Sequence, residues 1–203
     1  TLQAAARAVV PDDADDYRSP SWGPVLDGTE IIDNPLVRFG QGQFLRNISL
    51  VAGANTNEGT VFVYPSFTEP MTAKGFRAFV ELYLQAYGFP LNRTSAERVL
   101  RAYPPVENVD NRPLAAQLAG DFTIGCPTEM LLQQASTSRP SYRYRFDRRA
   151  QADPSPRDFG VYHGSEVPFV FDHGDWVTCN SSSSFTAGEE DLATLIGSTW
   201  ASF

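Results

Sequence analysis

The chain has 203 residues, 42% of them hydrophobic and 12% aromatic, enough for one domain with a real core and against wholesale disorder. Its formal net charge of -8 repels phosphate backbones, so nucleic acid is not an expected partner. No apolar run approaches the roughly 20 residues of a membrane span.

In chain order, residues 10–24 are polar, with Asp12, Asp13, Asp15 and Asp16 close together, and read as a solvated loop. Residues 22–28 read as a short extended segment ending in a turn. Residues 48–54 are almost continuously apolar, which suits a buried strand of a parallel sheet. Phe76, Phe79, Val80, Tyr83, Leu84 and Tyr87 recur at helical spacing, with Gly88 and Pro90 to stop the helix. A second short helix is predicted over 95–103, ended by Pro104 and Pro105. A third starts at Asn111 as its cap, with Pro113 in its first turn and Leu114 and Leu118 on one side. Residues 142–146 alternate and are aromatic, which predicts a strand. The Pro-rich residues 153–157 are a loop, and Ser165 is placed to cap a short helix over 167–171. Leu192, Leu195, Ile196, Thr199, Trp200 and Phe203 line one face of a last helix. It runs to the final residue without a stop signal, which suggests a chain that was cut. Strands separated by helices predict an α/β fold with a parallel sheet. Two strands are too few for a complete doubly wound sheet, so the remainder is expected from elsewhere.

Two histidines limit any histidine-dependent chemistry to two candidates. His163 lies in a loop after the second strand, followed by Gly164, which leaves the ring room to project into a cleft. His173, between Asp172 and Gly174, reads as an exposed turn. Glu58 lies in the loop that follows the first strand, and the carboxyl ends of parallel strands are where open α/β sheets place their sites. Alone, Glu58 is equally readable as an exposed loop carboxylate or as a helix N-terminal acid helped by the dipole. Together the two residues fit the chain order of an α/β hydrolase, in which the serine comes first, then the acid, then the histidine. A serine hydroxyl is a weak nucleophile at neutral pH. An imidazole must take its proton, and a carboxylate must fix the tautomer and stabilise the imidazolium.

Six segments in order resemble the type-B carboxylesterase/lipase family, which includes cholinesterases and fungal esterases. Residues 23–28 are similar to its G-P-V-x-D-G segment. Residues 50–60 are similar to its strand followed by N-x-x-E-G-T/S. Gly120-Asp121-Phe122 with Cys126-Pro127 resembles its G-D-x-x-x-x-C-P helix start. Residues 142–146 resemble its Y-x-Y-x-F strand, residues 163–171 its H-G-x-E-hydrophobic-x-F-V-F segment, and residues 195–203 its last helix. The resemblance implies that residues 1–203 are the C-terminal part of a single α/β-hydrolase catalytic domain, incomplete without an N-terminal partner chain. It implies that Glu58 is the triad acid and His163 the base of a carboxylic ester hydrolase using an acyl-serine intermediate and no cofactor. No G-x-S-x-G string occurs here, so the nucleophilic serine is expected on an N-terminal chain of the same precursor, and the substrate is a small-molecule ester. The rival expectation is a catalytically inactive, cholinesterase-like binding or adhesion protein, since the family includes adhesion proteins that keep the fold and lose the triad.

Cys126 and Cys179 form no C-x-x-C pair, which argues against zinc and redox motifs. The resemblance matches Cys126 to a family cysteine whose usual partner near the last helix is missing here. As these are the only two cysteines, a Cys126–Cys179 disulfide is the expectation, with a bond to the companion chain or two free thiols as the alternatives. Sequons at Asn47, Asn92 and Asn180 point to glycosylation and secretion, and an oxidising compartment allows such a bond.

Overall fold

Apolar continuity at 50–54 makes a strand, β1 (Leu50–Asn55), in the computed structural model, which describes residues 25–44, 47–87, 93–137, 139–177 and 185–203. The acidic stretch at 12–16, Gly23 and Pro24, Gly88 and Pro90, Asn92, Cys179 and Asn180 lie outside the described residues. β1 pairs in parallel with β2 (Ser141–Phe146), in the register Leu50 to Ser141 through Asn55 to Phe146. Both strands therefore end at the same edge, and this is the only sheet among the described residues.

A parallel pair needs a crossover, and here it is helical. α1 (Pro35–Gly40) lies ahead of β1, and the crossover holds α2 (Thr60–Val63), α3 (Ala73–Ala86), α4 (Arg93–Ala102), α5 (Arg112–Gly120) and α6 (Cys126–Ala135) between the strands. A single π-helical turn, Asp121–Gly125, joins α5 to α6. After β2 come α7 (Val167–Val170) and α8 (Ala187–Ser202). The predicted helices are present, while α1, α2 and the π turn were not read from the sequence. α3 starts where the Thr72 hydroxyl accepts from the Gly75 backbone N–H, which satisfies one of the orphan donors of the first turn. Asn111 is the N-cap residue of α5, as its sequence position predicts, but its side chain makes no capping bond. Its carboxamide instead donates to the Val106 and Val109 carbonyls of the preceding loop and to the Met71 carbonyl ahead of α3, and accepts from the Val106 N–H.

The helices build two cores. Phe76, Val80 and Val63 are fully buried against Ala115 and Ala119 of α5; each large apolar side chain contributes about 1.5–3 kcal/mol. Phe169 of α7 stacks on Phe185 and packs beside Phe146, the last residue of β2, with Val161 and Ala193 completing the second core. The acid loop after β1 leans on the first core and the histidine loop on the second. The sheet between them is less covered than its apolar sequence predicts: residues 50–54 are half-buried and Tyr142 is exposed. Parallel strands occur with both faces covered, and two strands with the described helices do not supply that cover.

Candidate active site

β1 ends at Asn55 and the chain turns at once through 56–59 into α2. The turn is held by Thr60, whose N–H and hydroxyl both donate to the Asn57 carbonyl, the hydroxyl also reaching the Phe159 carbonyl. Gly59 lies directly on the backbone of α5, where a Cβ would stand 1.9 Å from the Ala116 carbonyl oxygen. Small residues on α5 and at 59 thus let the turn sink against the helix and bury Glu58, which is 8% exposed. Its Oε1 accepts from the Asn55 backbone N–H at 2.6 Å. Its Oε2 lies 2.7 Å from Nδ1 of His163.

His163 is reached from β2 through a loop that Arg149 braces by donating to the Pro156 and Arg157 carbonyls. Gly160 (φ 62°) and Gly164 (φ 87°) adopt left-handed backbone on either side of the histidine, a conformation that suits glycine. Between them Val161 exchanges two hydrogen bonds with Asn57: the Val161 N–H donates to the Asn57 side-chain oxygen, and the Asn57 N–H to the Val161 carbonyl, each at 2.9 Å. The carboxamide nitrogen of Asn55 donates to the Tyr162 carbonyl at 2.8 Å and to Oε2 of Glu166. The acid loop and the histidine loop are thus stitched together on both sides of the ring. The ring itself is half-exposed, with Phe62 of α2 at 5.3 Å between centroids.

A carboxylate only accepts, so Nδ1 facing Glu58 carries the hydrogen, and Nε2 is left as the basic nitrogen of the neutral ring. The hydrogen bond to Glu58 raises the His163 pKa above its ordinary 6.5; burial opposes it, and the negative charges of Glu58 and Glu166 add to it. The pair can take a proton at Nε2 and stabilise the resulting imidazolium.

Of the other residues singled out from the sequence, His173 is exposed, stacks on Trp176 and lies 3.5 Å from Asp175, away from Glu58. Asp121 accepts from the Tyr103 hydroxyl in the π turn. Ser165 does not cap α7. Its N–H closes a turn onto the Tyr162 carbonyl, which leaves Glu166 as the residue that starts the helix and the Ser165 hydroxyl buried without a partner. Cys126 is an exposed free thiol at the start of α6, and its expected partner Cys179 lies outside the described residues. Asn47 is exposed. No cluster of three or more metal-ligating side chains occurs among the described residues, and no helix among them is long and apolar enough to cross a membrane. A cavity of about 430 Å³ over the sheet is bordered by Asn55, Glu58, Gln117 and Tyr144, and His163 does not line it. Sequence reasoning missed Asn55 and Asn57 as parts of the site. The signal was present in the N-x-x-E-G string, but the partners that give it meaning are more than a hundred residues away.

Two parallel strands that release a carboxylate and a histidine at their common carboxyl edge make this a partial α/β-hydrolase fold. The chain belongs to the carboxylesterase family: the profile described as "Carboxylesterase family" matches residues 5–203. The Cholinesterase of Mus musculus is 30% identical over 210 aligned residues, which cover 97% of this chain and 33% of the relative. The Crystal protein of Dictyostelium discoideum is 26% identical over 155 residues, 74% of this chain and 27% of the relative. Neuroligin-2 of Homo sapiens is 26% identical over 197 residues, 90% of this chain and 23% of the relative. The chain thus spans about a third or less of the curated relatives it matches.

Proposed function

We propose that residues 1–203 are the C-terminal part of one catalytic domain of a secreted carboxylic ester hydrolase, with Glu58 as triad acid and His163 as base. The nucleophilic serine comes from the N-terminal portion of the same precursor, and the substrate is a small-molecule ester. The carrying observation is the 2.7 Å contact between Glu58 Oε2 and His163 Nδ1, with the acid buried and the ring half-exposed. The half-covered sheet supports a companion portion that completes the fold, and the sequons at Asn47, Asn92 and Asn180 support secretion.

In the reaction, Nε2 of His163 takes the serine proton as the oxygen attacks the ester carbonyl. The imidazolium, stabilised by Glu58, gives that proton to the leaving alcohol as the tetrahedral intermediate collapses to an acyl-serine. Water then attacks the acyl group, Nε2 takes its proton and returns it to the serine, and the acid departs. Hydrolysis of p-nitrophenyl esters by the full-length protein tests this. His163→Ala is expected to lower kcat by several orders of magnitude, and hydrolysis unchanged by it would remove His163 from the mechanism.

A second reading, a catalytically inactive binding or adhesion protein on the same fold, is favoured by the 26% identity with Neuroligin-2 over 90% of the chain. A correctly folded full-length protein that hydrolyses no ester would support it.

A further inference from the structure

We infer that Asn55 is a positioning residue that fixes the contact between Glu58 and His163 by binding the acid and both ends of the histidine turn at once. The inference rests on the hydrolase reading for its kinetic consequence, but the geometry stands apart from it. Asn55 is the last residue of β1 and is 6% exposed. Its backbone N–H holds Oε1 of Glu58, which leaves Oε2 facing the imidazole. Both hydrogens of its carboxamide are spent on the other loop. One goes to the carbonyl of Tyr162, immediately before His163, and one to the carboxylate of Glu166, three residues after it.

This is a bracket around the base. The Tyr162 carbonyl fixes where the turn enters and the Glu166 side chain fixes where it leaves. An asparagine is suited to the position because a neutral amide supplies two donors. An aspartate would supply none, and would set a third carboxylate beside Glu58 and Glu166. Buried donors and acceptors are costly to leave unmade, so neither loop can drift without breaking a bond of this residue. The groups facing His163 are the carboxylates of Glu58 and Glu166 and the ring of Phe62. Asn55 makes no contact with the ring, so its influence passes through the loops.

The test uses the full-length protein carrying Asn55→Leu, which is close in shape and lacks the donors. Asn55→Ser and Glu166→Ala each remove part of the bracket and serve if Asn55→Leu does not fold. The readouts are kcat and KM on a p-nitrophenyl ester, the His163 titration followed by NMR of carbon-13-labelled histidine, and the thermal midpoint. Displacement of a reacting group on the order of 1 Å costs about a hundredfold in rate, so Asn55→Leu is expected to lower kcat by about that factor with little change in KM. The partial variants are expected to lose about tenfold. Adding Glu166→Ala to Asn55→Leu is expected to cost little more, since the two share one interaction. The His163 midpoint is expected to fall toward the ordinary value as the Glu58 contact loosens, an effect that lost stability alone does not produce. If folded Asn55 variants keep both the wild-type kcat and the wild-type His163 titration, the inference is overturned. If the wild type hydrolyses no ester while the titration still shifts in the variants, Asn55 holds the pair as inferred and the hydrolase reading fails instead.

Discussion

Gly59 is needed for space and not for dihedral freedom, since its φ is -83°. A Cβ there would lie 1.9 Å from the Ala116 carbonyl oxygen and 2.8 Å from the Gly120 nitrogen. Both are backbone atoms of α5, so no change of rotamer relieves the clash. Ordinary contact begins near 3.4 Å, so Gly59→Ala must part the turn from the helix by about 1.5 Å in a close-packed interior. α5 is anchored by Ala115 and Ala119 in the first core, so the turn is the part that gives way. Glu58 is the preceding residue and moves with it, away from its 2.7 Å contact with His163. Overpacking of this kind costs about 1–3 kcal/mol of stability, and a shift of about 1 Å in a reacting geometry costs about a hundredfold in rate. The expected result for the full-length protein is therefore a modest loss in thermal unfolding with a disproportionate loss of kcat. Gly120→Ala, whose Cβ would meet Gly59 N at 3.0 Å and Glu58 Cβ at 3.1 Å, is expected to act in the same direction and less. A folded Gly59→Ala protein with wild-type turnover would refute the idea that this packing holds the acid in place.

Three further outcomes are expected. His163 must be neutral to act as a base, and its pKa is raised by Glu58, so the acid limb of kcat/KM in the full-length enzyme should lie above pH 6.5; Glu58→Gln should move that limb to lower pH while reducing the plateau. The same sign makes the small contribution of this half-exposed pair to stability present below the unfolded histidine pKa and lost as pH rises through the folded one. Glu189 is 1% exposed and accepts from the N–H and hydroxyl of Thr186, the Gln151 N–H and Arg148; Glu189→Ala should cost about 2–4 kcal/mol in urea unfolding from the lost cap and the unpaired donor. Burial pushes the Glu189 carboxyl up, but these hydrogen bonds together pull it below its ordinary 4.5, so its stabilisation should be present above that value and lost as pH falls through the folded pKa. Cys126, a free thiol in the structure, should be alkylated in denatured, unreduced protein, whereas protection from alkylation would speak for a disulfide.

The sequence showed the elements better than it showed what ties them. The strand at 50–55 and the helix at 73–86 were legible because apolar continuity and helical spacing are local patterns, with boundary errors of a residue or two at β1 and a missed Thr72 cap at α3. α2 was not legible: four residues starting at Thr60 carry no period, and they become helical because the turn at 56–59 is pressed onto α5. Asn111 and Ser165 are capping residue types ahead of helices, and only the fold reveals that the Asn111 side chain bonds neighbouring loops instead of the helix and that the Ser165 backbone N–H closes a turn. Glu58 and His163 were legible through chain order and motif. Their 2.7 Å contact was not, because it depends on the parallel register of strands some ninety residues apart and on Asn55 and Asn57 reaching across. The need for cover over the sheet was legible, since apolar strands announce that a cover is needed without saying which residues provide it.

The central claim is that this chain supplies acid and base to a serine carried elsewhere in the same precursor. Fluorophosphonate labelling of the full-length protein, followed by peptide mapping, tests it most directly, because such a reagent reacts with a serine only when a neighbouring base activates it. A single labelled serine in a G-x-S-x-G segment outside residues 1–203, with labelling abolished by His163→Ala, is the expected result. Label found within residues 1–203, or labelling of the outside serine that survives His163→Ala, would contradict it.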